Sequence, residues 1–209
     1  MANYLVLGGS GPTGRLISRQ AIDAGHRVTV LSRHPDHVGF SHERLTLVTG
    51  DATEEGVVAR ALPGHDAVLC ALGRGMSFRS EHLMERAVAR ILPAMEQAGP
   101  RRLVHLSSFG IHPWTANTTF PQRLFFGTLL RGIAEDKAVS DAAVVRSALD
   151  WTIVAPVSLN NKPEIAPYRV GERLAIAGMP MMPRASVAEF MLKCAADAAT
   201  IRKRLELAP

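Results

Sequence analysis

Short apolar runs recur along the chain, each followed by a longer stretch whose apolar positions return every three or four residues. Asn3–Leu7 is the first run. Pro12–Ala24 follows with Leu16, Ile17, Gln20 and Ala21 at helical spacing, and Gly25 is a suitable stop. Arg27–Leu31 ("RVTVL") is rich in β-branched residues and predicts a second strand, and Leu45–Thr49 a third. "GDATEEG" then leads into a helix over Glu54–Leu62. Ala67–Ala71 ("AVLCA") is the fourth strand and closes at Gly73, and Glu81–Ala98 is a long helix ended by Gly99-Pro100. Arg102–Leu106 predicts strand five and runs into "SSFG". Helical spacing covers Arg123–Ser147 with interruptions, Trp151–Ala155 ("WTIVA") is strand six, and Ser186–Ala198 predicts a closing helix.

Strands and helices therefore alternate, and the strands are apolar along their whole length. That combination predicts an α/β fold with a doubly wound parallel sheet covered on both faces, in strand order 3-2-1-4-5-6. No linker, low-complexity run or short-period repeat interrupts the chain, so residues 1–209 are expected to form one domain. Pro156–Met182, with Pro156, Pro163, Pro167 and Pro180, reads as irregular. The expectation is a small substrate segment over 156–185, above the carboxyl ends of the strands.

Composition narrows the class. The 209 residues are 47% hydrophobic, enough for a sizeable core and too apolar for a disordered tail. No apolar run approaches the ~20 residues that span a bilayer. The first residues, Met1-Ala2-Asn3-Tyr4, carry no basic segment of the secretory kind, and a cytoplasmic protein without membrane partners is expected. Cys70 and Cys194 stand far apart and read as buried thiols. The formal charge is +5, but the arginines are scattered. Arg202-Lys203-Arg204 is the one cluster; without interleaved aromatics it reads as a solvated end of the last helix and not as a nucleic-acid patch.

The first strand runs directly into "VLGGSGPTGRL" (6–16). An ATP-binding loop needs Lys and then Ser or Thr after its last glycine, and here Arg15 and Leu16 follow Gly14. A serine elbow needs a glycine two places after Ser10, where Pro12 stands. A dinucleotide site fits: Gly8 for the tight turn, Gly11 for backbone approach to the pyrophosphate, Gly14 for close packing of helix on strand. Pro12 suits the first helical turn, whose amino end faces the phosphates. Gly9, Ser10 and Thr13 complete the candidate loop.

Strand two ends in Ser32 and Arg33, where an NAD site would carry an acidic residue. The guanidinium fork of Arg33 and the Ser32 hydroxyl suit a 2′-phosphate, so NADP(H) is the expected cofactor. Asp51 and Ala52 would lie along the adenine. Ala71, Leu72 and Gly73 after strand four, and Pro156 and Val157 after strand six, are further cofactor candidates.

"GGSGPTG", "VLSRHP", "GDATE", "LCALG", "VHLSSFG" and "DWTIVAP" occur in this order over residues 4–156. In that ordered set the chain resembles the atypical short-chain dehydrogenase/reductase family with the NAD(P)H-binding, NmrA-like fold. Its small members, similar to flavin and biliverdin reductases, are nearest in length. The resemblance implies a Rossmann domain carrying NADPH and a short C-terminal substrate region.

The wider superfamily uses Tyr-x-x-x-Lys, a phenol whose proton a lysine helps to move. Neither Tyr4 nor Tyr168 has a lysine four places on; Lys137 falls where the family's lysine would stand, but Ile133 precedes it in the tyrosine position. Simple carbonyl reduction by that mechanism is therefore not expected. The remaining acceptors take hydride without a strong enzymic acid: flavins, quinones, tetrapyrroles and other flat conjugated systems, which the protein has mainly to stack and orient. Ser107 and Ser108 are candidates for hydrogen bonds at the site, Lys137 for holding the nicotinamide ribose, and His112 for carrying a proton near neutrality. Trp114, Phe120, Phe125 and Phe126 are candidate walls for a flat acceptor, Met76 and Phe78 are candidate substrate-site residues capping the nicotinamide side, and Met179, Met181 and Met182 are adaptable lining or core filler. No His, Cys or Asp cluster has metal-ligand spacing, so no metal is expected. Three functions stay open at this point: a reductase of a conjugated small molecule, an NADP-holding redox sensor, and an epimerase, isomerase or dehydratase using its cofactor internally. A monomer and a homodimer are equally compatible with the sequence.

Overall fold

The computed structural model describes residues 1–73, 82–111 and 131–209. The strands β1 (Asn3–Leu7), β2 (Arg27–Ser32), β3 (Leu45–Thr49), β4 (Ala67–Cys70), β5 (Arg102–Leu106) and β6 (Asp150–Pro156) appear where the apolar runs predict them. Helices α1 (Pro12–Asp23), α2 (Val57–Ala61), α3 (Leu83–Ala98), α4 (Arg131–Arg146) and α5 (Arg184–Ala196) lie between and after them. The short strands β7 (Ser158–Asn160), β8 (Arg169–Gly171) and β9 (Met181–Pro183), the longer β10 (Lys203–Ala208), and two 3-10 turns at Pro35–Val38 and Ala198–Thr200 complete the described elements.

The main sheet runs β3-β2-β1-β4-β5-β6-β10-β8. Its first six strands stand in the expected order and are parallel, β10 adds to β6 in parallel, and β8 closes the edge antiparallel to β10. The order reverses between β1 and β4, the switch point at which such sheets open a crevice at their carboxyl edge. Alternate residues of each strand feed opposite faces. Tyr4, Val6, Val30 and Val104 pack with Ile17 and Ala21 of α1 and with Val187 and Met191 of α5. Leu5, Leu7, Val68 and Leu103 pack on the other side with Val58 of α2, Ile91 of α3 and Val144 of α4. Both cysteines are free and buried.

The structure departs from the sequence reading at several places. Arg202-Lys203-Arg204 does not end a helix: Lys203 and Arg204 open β10, and Arg204 is buried beside carboxylates. β3 is an edge strand and not covered on both faces, and Leu47 is 43% exposed. The helix predicted from Glu54 begins at Val57, because Asp51 holds Thr53 in a tight turn and Gly56 follows with φ +72°. Within 156–182, β7 pairs in parallel with β9 as a separate two-stranded sheet, so the segment is not wholly irregular. Met182 of β9 is core, whereas Met179 and Met181 are about half exposed. Among the described residues no helix is long and apolar enough to cross a membrane.

Candidate active site at the carboxyl edge

The glycine loop leaves β1 through Gly8, whose φ of +81° an L-residue rarely adopts. A Cβ there would also lie 2.8 Å from the Ala71 carbonyl oxygen, so the loop is pressed against the segment leaving β4. Gly9 is closed off by β2, since its Cβ would stand 2.5 Å from Val30 Cγ1. At Gly14 a Cβ would come within 2.3 Å of the Gly8 carbonyl oxygen, so α1 packs on the loop with no space for a side chain. The Gly11 amide donates to the Gly8 carbonyl at 3.0 Å and Gly11 caps α1 without a side-chain bond. Pro12 opens the helix and Thr13 is buried in its first turn.

Ser32 is buried at the end of β2, and its hydroxyl donates to Ser10 Oγ at 2.7 Å, tying the glycine loop to the second strand. The His34 amide donates to Ser32 Oγ at 3.1 Å. Arg33 points outward, 64% exposed, with Nη1 3.9 Å from Asp51 Oδ2. Burial pushes the Asp51 carboxyl up, but bonds from the Thr53 amide and hydroxyl, with Arg33 and Arg86 nearby, outweigh it and hold the group below the usual carboxylate range. Ala52 is buried beside it. Ala71, Leu72 and Gly73 follow β4, and the Ala71 amide continues the ladder to the Leu7 carbonyl. Pro156 ends β6 and Val157 is buried next to it.

The two serines after β5 differ. Ser107 is buried, and its hydroxyl donates to Asp141 Oδ2 of α4 at 2.6 Å. Ser108 is half-buried, and its carbonyl accepts from Arg204 Nη2 at 2.8 Å. Lys137, one helical turn before Asp141, reaches the Leu106 carbonyl at 3.4 Å. Burial pushes its ammonium pKa down, with Arg204 adding to the fall, against Asp141, Cys70 and Asp136. Thus the β5 serines and Lys137 meet at one strand end. His112, Trp114, Phe120, Phe125 and Phe126, with Met76 and Phe78, lie outside the described residues.

Beneath the serines lies a buried polar cluster that the sequence reading did not single out. His105 of β5 sets Nε2 3.5 Å from Asp141 Oδ1, and both side chains are almost wholly buried. Arg204 Nε lies 3.9 Å from Asp141 Oδ2, and Arg204 Nη1 is 3.3 Å from Glu206 Oε1. The available signals were a histidine inside an apolar strand ("RLVHL") and the Lys137–Asp141 spacing of one helical turn. His82, Glu85 and Asp136 also bring ligand-capable atoms within 4.8 Å of one another, but the Asp136 oxygens accept the Met84 and Glu85 amides at the start of α3.

Burial alone would lower the His105 pKa; Asp141 and the neighbouring Cys70 sulfur raise it instead to about 9. A histidine raised in the folded state adds stability that is complete below its unfolded value of about 6.5 and lost as pH rises through about 9. The contribution is roughly 3 kcal/mol at its fullest. Urea denaturation of the wild type and His105→Gln should therefore differ most at the acidic end of this window and converge above it. A gap independent of pH would contradict the ion pair.

An NAD(P)H-binding family matches residues 8–198, nearly the whole of this architecture. The chain belongs to the NAD(P)H-binding family. Rv2047c, an uncharacterized Mycobacterium tuberculosis protein, is 32% identical over 85% of this chain. The chain spans about a quarter, 23%, of that relative's length. Among solved structures, a wide-type short-chain dehydrogenase/reductase from Veillonella parvula, in complex with NADP, superposes with a TM-score of 0.82 at 19% identity, covering 100% of this chain and 94% of the other. The anaerobillin reductase ChuY from Escherichia coli O157:H7 gives 0.80 at 20% identity, with coverages of 99% and 96%. These likenesses show the Rossmann fold, and the family is one of NAD(P)H binding.

Proposed function

We propose that this family member is an NADPH-dependent reductase that delivers hydride to a flat conjugated acceptor, such as a flavin or quinone, at the carboxyl end of β5. The observation that carries the reading is Ile133 four residues before Lys137: a serine-and-lysine strand end without the tyrosine acid. The cofactor half rests on the glycine loop. Gly8, Gly9 and Gly14 leave no room for side chains, and the first amides of α1 have no side-chain cap, an arrangement suited to a pyrophosphate. Ser10, Gly11, Pro12 and Thr13 complete that cradle, and Ser32 with Arg33 would take the 2′-phosphate. Asp51 and Ala52 would flank the adenine, and Ala71, Leu72, Gly73, Pro156 and Val157 would border the nicotinamide half.

When bound, NADPH supplies a hydride, two electrons with one proton, to the acceptor. The protein's own residues orient and shield. Ser108 would contact the acceptor or the carboxamide, Lys137 would hold the ribose, and Ser107 with Asp141 would brace the strand end. His112 is proposed as proton carrier, and Met76, Phe78, Trp114 and Phe125 as the acceptor wall. Residues 156–185 are proposed as the substrate segment of a single domain spanning 1–209. The naming of ChuY as an anaerobillin reductase supports a reductase reading here as well.

The missing tyrosine also supports a second reading, an NADP(H)-holding redox sensor without turnover. Steady-state NADPH oxidation with FMN, a quinone and biliverdin separates the two. Turnover above the acceptor-free rate with at least one acceptor is expected; tight NADPH binding with none would establish the sensor instead.

A further inference from the structure

Arg204 is the least expected residue in the structure. A guanidinium at the second position of β10, directly after exposed Arg202 and Lys203, is buried to 8% exposure. Removing such a charge from water costs several kcal/mol unless good partners compensate. Its partners include Asp141 of α4, 3.9 Å from Nε, and Glu206 two places along β10, 3.3 Å from Nη1. Glu206 is itself held, because its Oε2 accepts the Leu174 amide at 2.7 Å. The remaining nitrogen, Nη2, donates to the Ser108 carbonyl at 2.8 Å. An apolar side chain of similar size would fill this volume but strand the Asp141 and Glu206 carboxylates and the Ser108 carbonyl, so the guanidinium has a use beyond packing.

That use is geometric. Two anchors act on the turn that follows β5: Asp141 accepts a hydrogen bond from the Ser107 hydroxyl, and Arg204 donates one to the Ser108 carbonyl. Gly110 then turns away with φ +76°, and the Phe109 amide bonds the Pro156 carbonyl at 2.8 Å. With the Ser107 side chain committed inward and the Ser108 carbonyl held from below, the backbone that carries the half-buried Ser108 is fixed on both sides. We infer that Arg204 is a positioning residue, which fixes Ser108 through its carbonyl while Asp141 and Glu206 set the plane of the guanidinium. The inference rests on the proposed reading of Ser108 as a group that contacts the acceptor or the carboxamide. It also ties the 172–174 stretch to that contact, through Glu206.

A double-mutant cycle between Arg204→Lys and Ser108→Ala tests it, with the full chain and the best acceptor of the panel. Lysine keeps the charge opposite Asp141 and Glu206 but lacks the fork that reaches Ser108. Loss of one charge-assisted bond predicts a kcat about tenfold lower, with the NADPH dissociation constant unchanged. On the Ser108→Ala background the same change should lower kcat no further, because the two act as one unit. Independently of turnover, amide exchange at Ser108–Gly110 should quicken about tenfold in Arg204→Lys, with protection elsewhere in the sheet retained.

An equal loss of kcat on both backgrounds, or unchanged exchange at Ser108–Gly110, would overturn the inference and leave Arg204 a structural brace. If Ser108→Ala alone retains the wild-type kcat, the reading of Ser108 fails first and the inference falls with it. Should Arg204→Lys not fold, Glu206→Gln gives the same cycle, with an expected loss of about threefold confined to the Ser108-containing background.

Discussion

Gly14→Ala should cost roughly 3 kcal/mol of stability and lower the melting temperature by roughly 10 °C. Its Cβ would stand 2.3 Å from the Gly8 carbonyl oxygen and 2.7 Å from Gly9 Cα. Both obstacles are backbone, and both belong to the loop that lies between β1 and α1. The helix must move off the sheet or the loop must open, and either disrupts the uncapped amides of the first turn. NADPH affinity should therefore fall even at temperatures where the variant stays folded. Gly64→Ala is the control. Gly64 has φ +80° but nothing within 4 Å of its missing Cβ, so only the backbone term, about 1 kcal/mol, applies. Equal melting temperatures for the two variants would mean that helix α1 does not depend on the contact at Gly14.

Arg33→Glu should erase the preference for NADPH over NADH. The Arg33 side chain stands mostly in solvent at the end of β2, and its ion-pair contact with Asp51, at 3.9 Å, is loose. A guanidinium so placed retains its donors for a phosphate, and it is worth little to the fold. Reversing its sign removes a charge-assisted pair and sets a carboxylate against the 2′-phosphate, next to an Asp51 that stays ionised. The expected loss is about 100-fold in NADPH affinity, or roughly 3 kcal/mol, with NADH affected only a few-fold. Fluorescence titration with both nucleotides measures the ratio. If the ratio stays at its wild-type value, the second phosphate is read elsewhere.

The sheet was legible because it depends on local rules. Apolar runs such as "RVTVL" and "WTIVA" can be buried only as central strands, and Gly25 and Gly99 end their helices by local chemistry. The glycine loop was legible for the same reason, although Gly9's part was not, since Val30 that closes it comes from the neighbouring strand. What escaped was long-range. Arg204 reads as solvated beside Arg202 and Lys203, whereas its burial is matched by partners such as Asp141 of α4, 63 positions earlier by the numbering of Asp141 and Arg204. His105 and Asp141 escaped likewise, each ordinary within its own element and informative only as a pair. β7 and β9 are three residues each and carry no period that a pattern could register.

The proposed reductase is tested most directly by a single turnover. Protein loaded with one equivalent of NADPH is mixed with excess FMN, quinone or biliverdin, and the NADPH absorbance is followed. The account predicts that with at least one acceptor the bound NADPH is consumed in a single phase, at a rate no slower than steady-state turnover. NADPH that remains bound and unoxidised with every acceptor would contradict it.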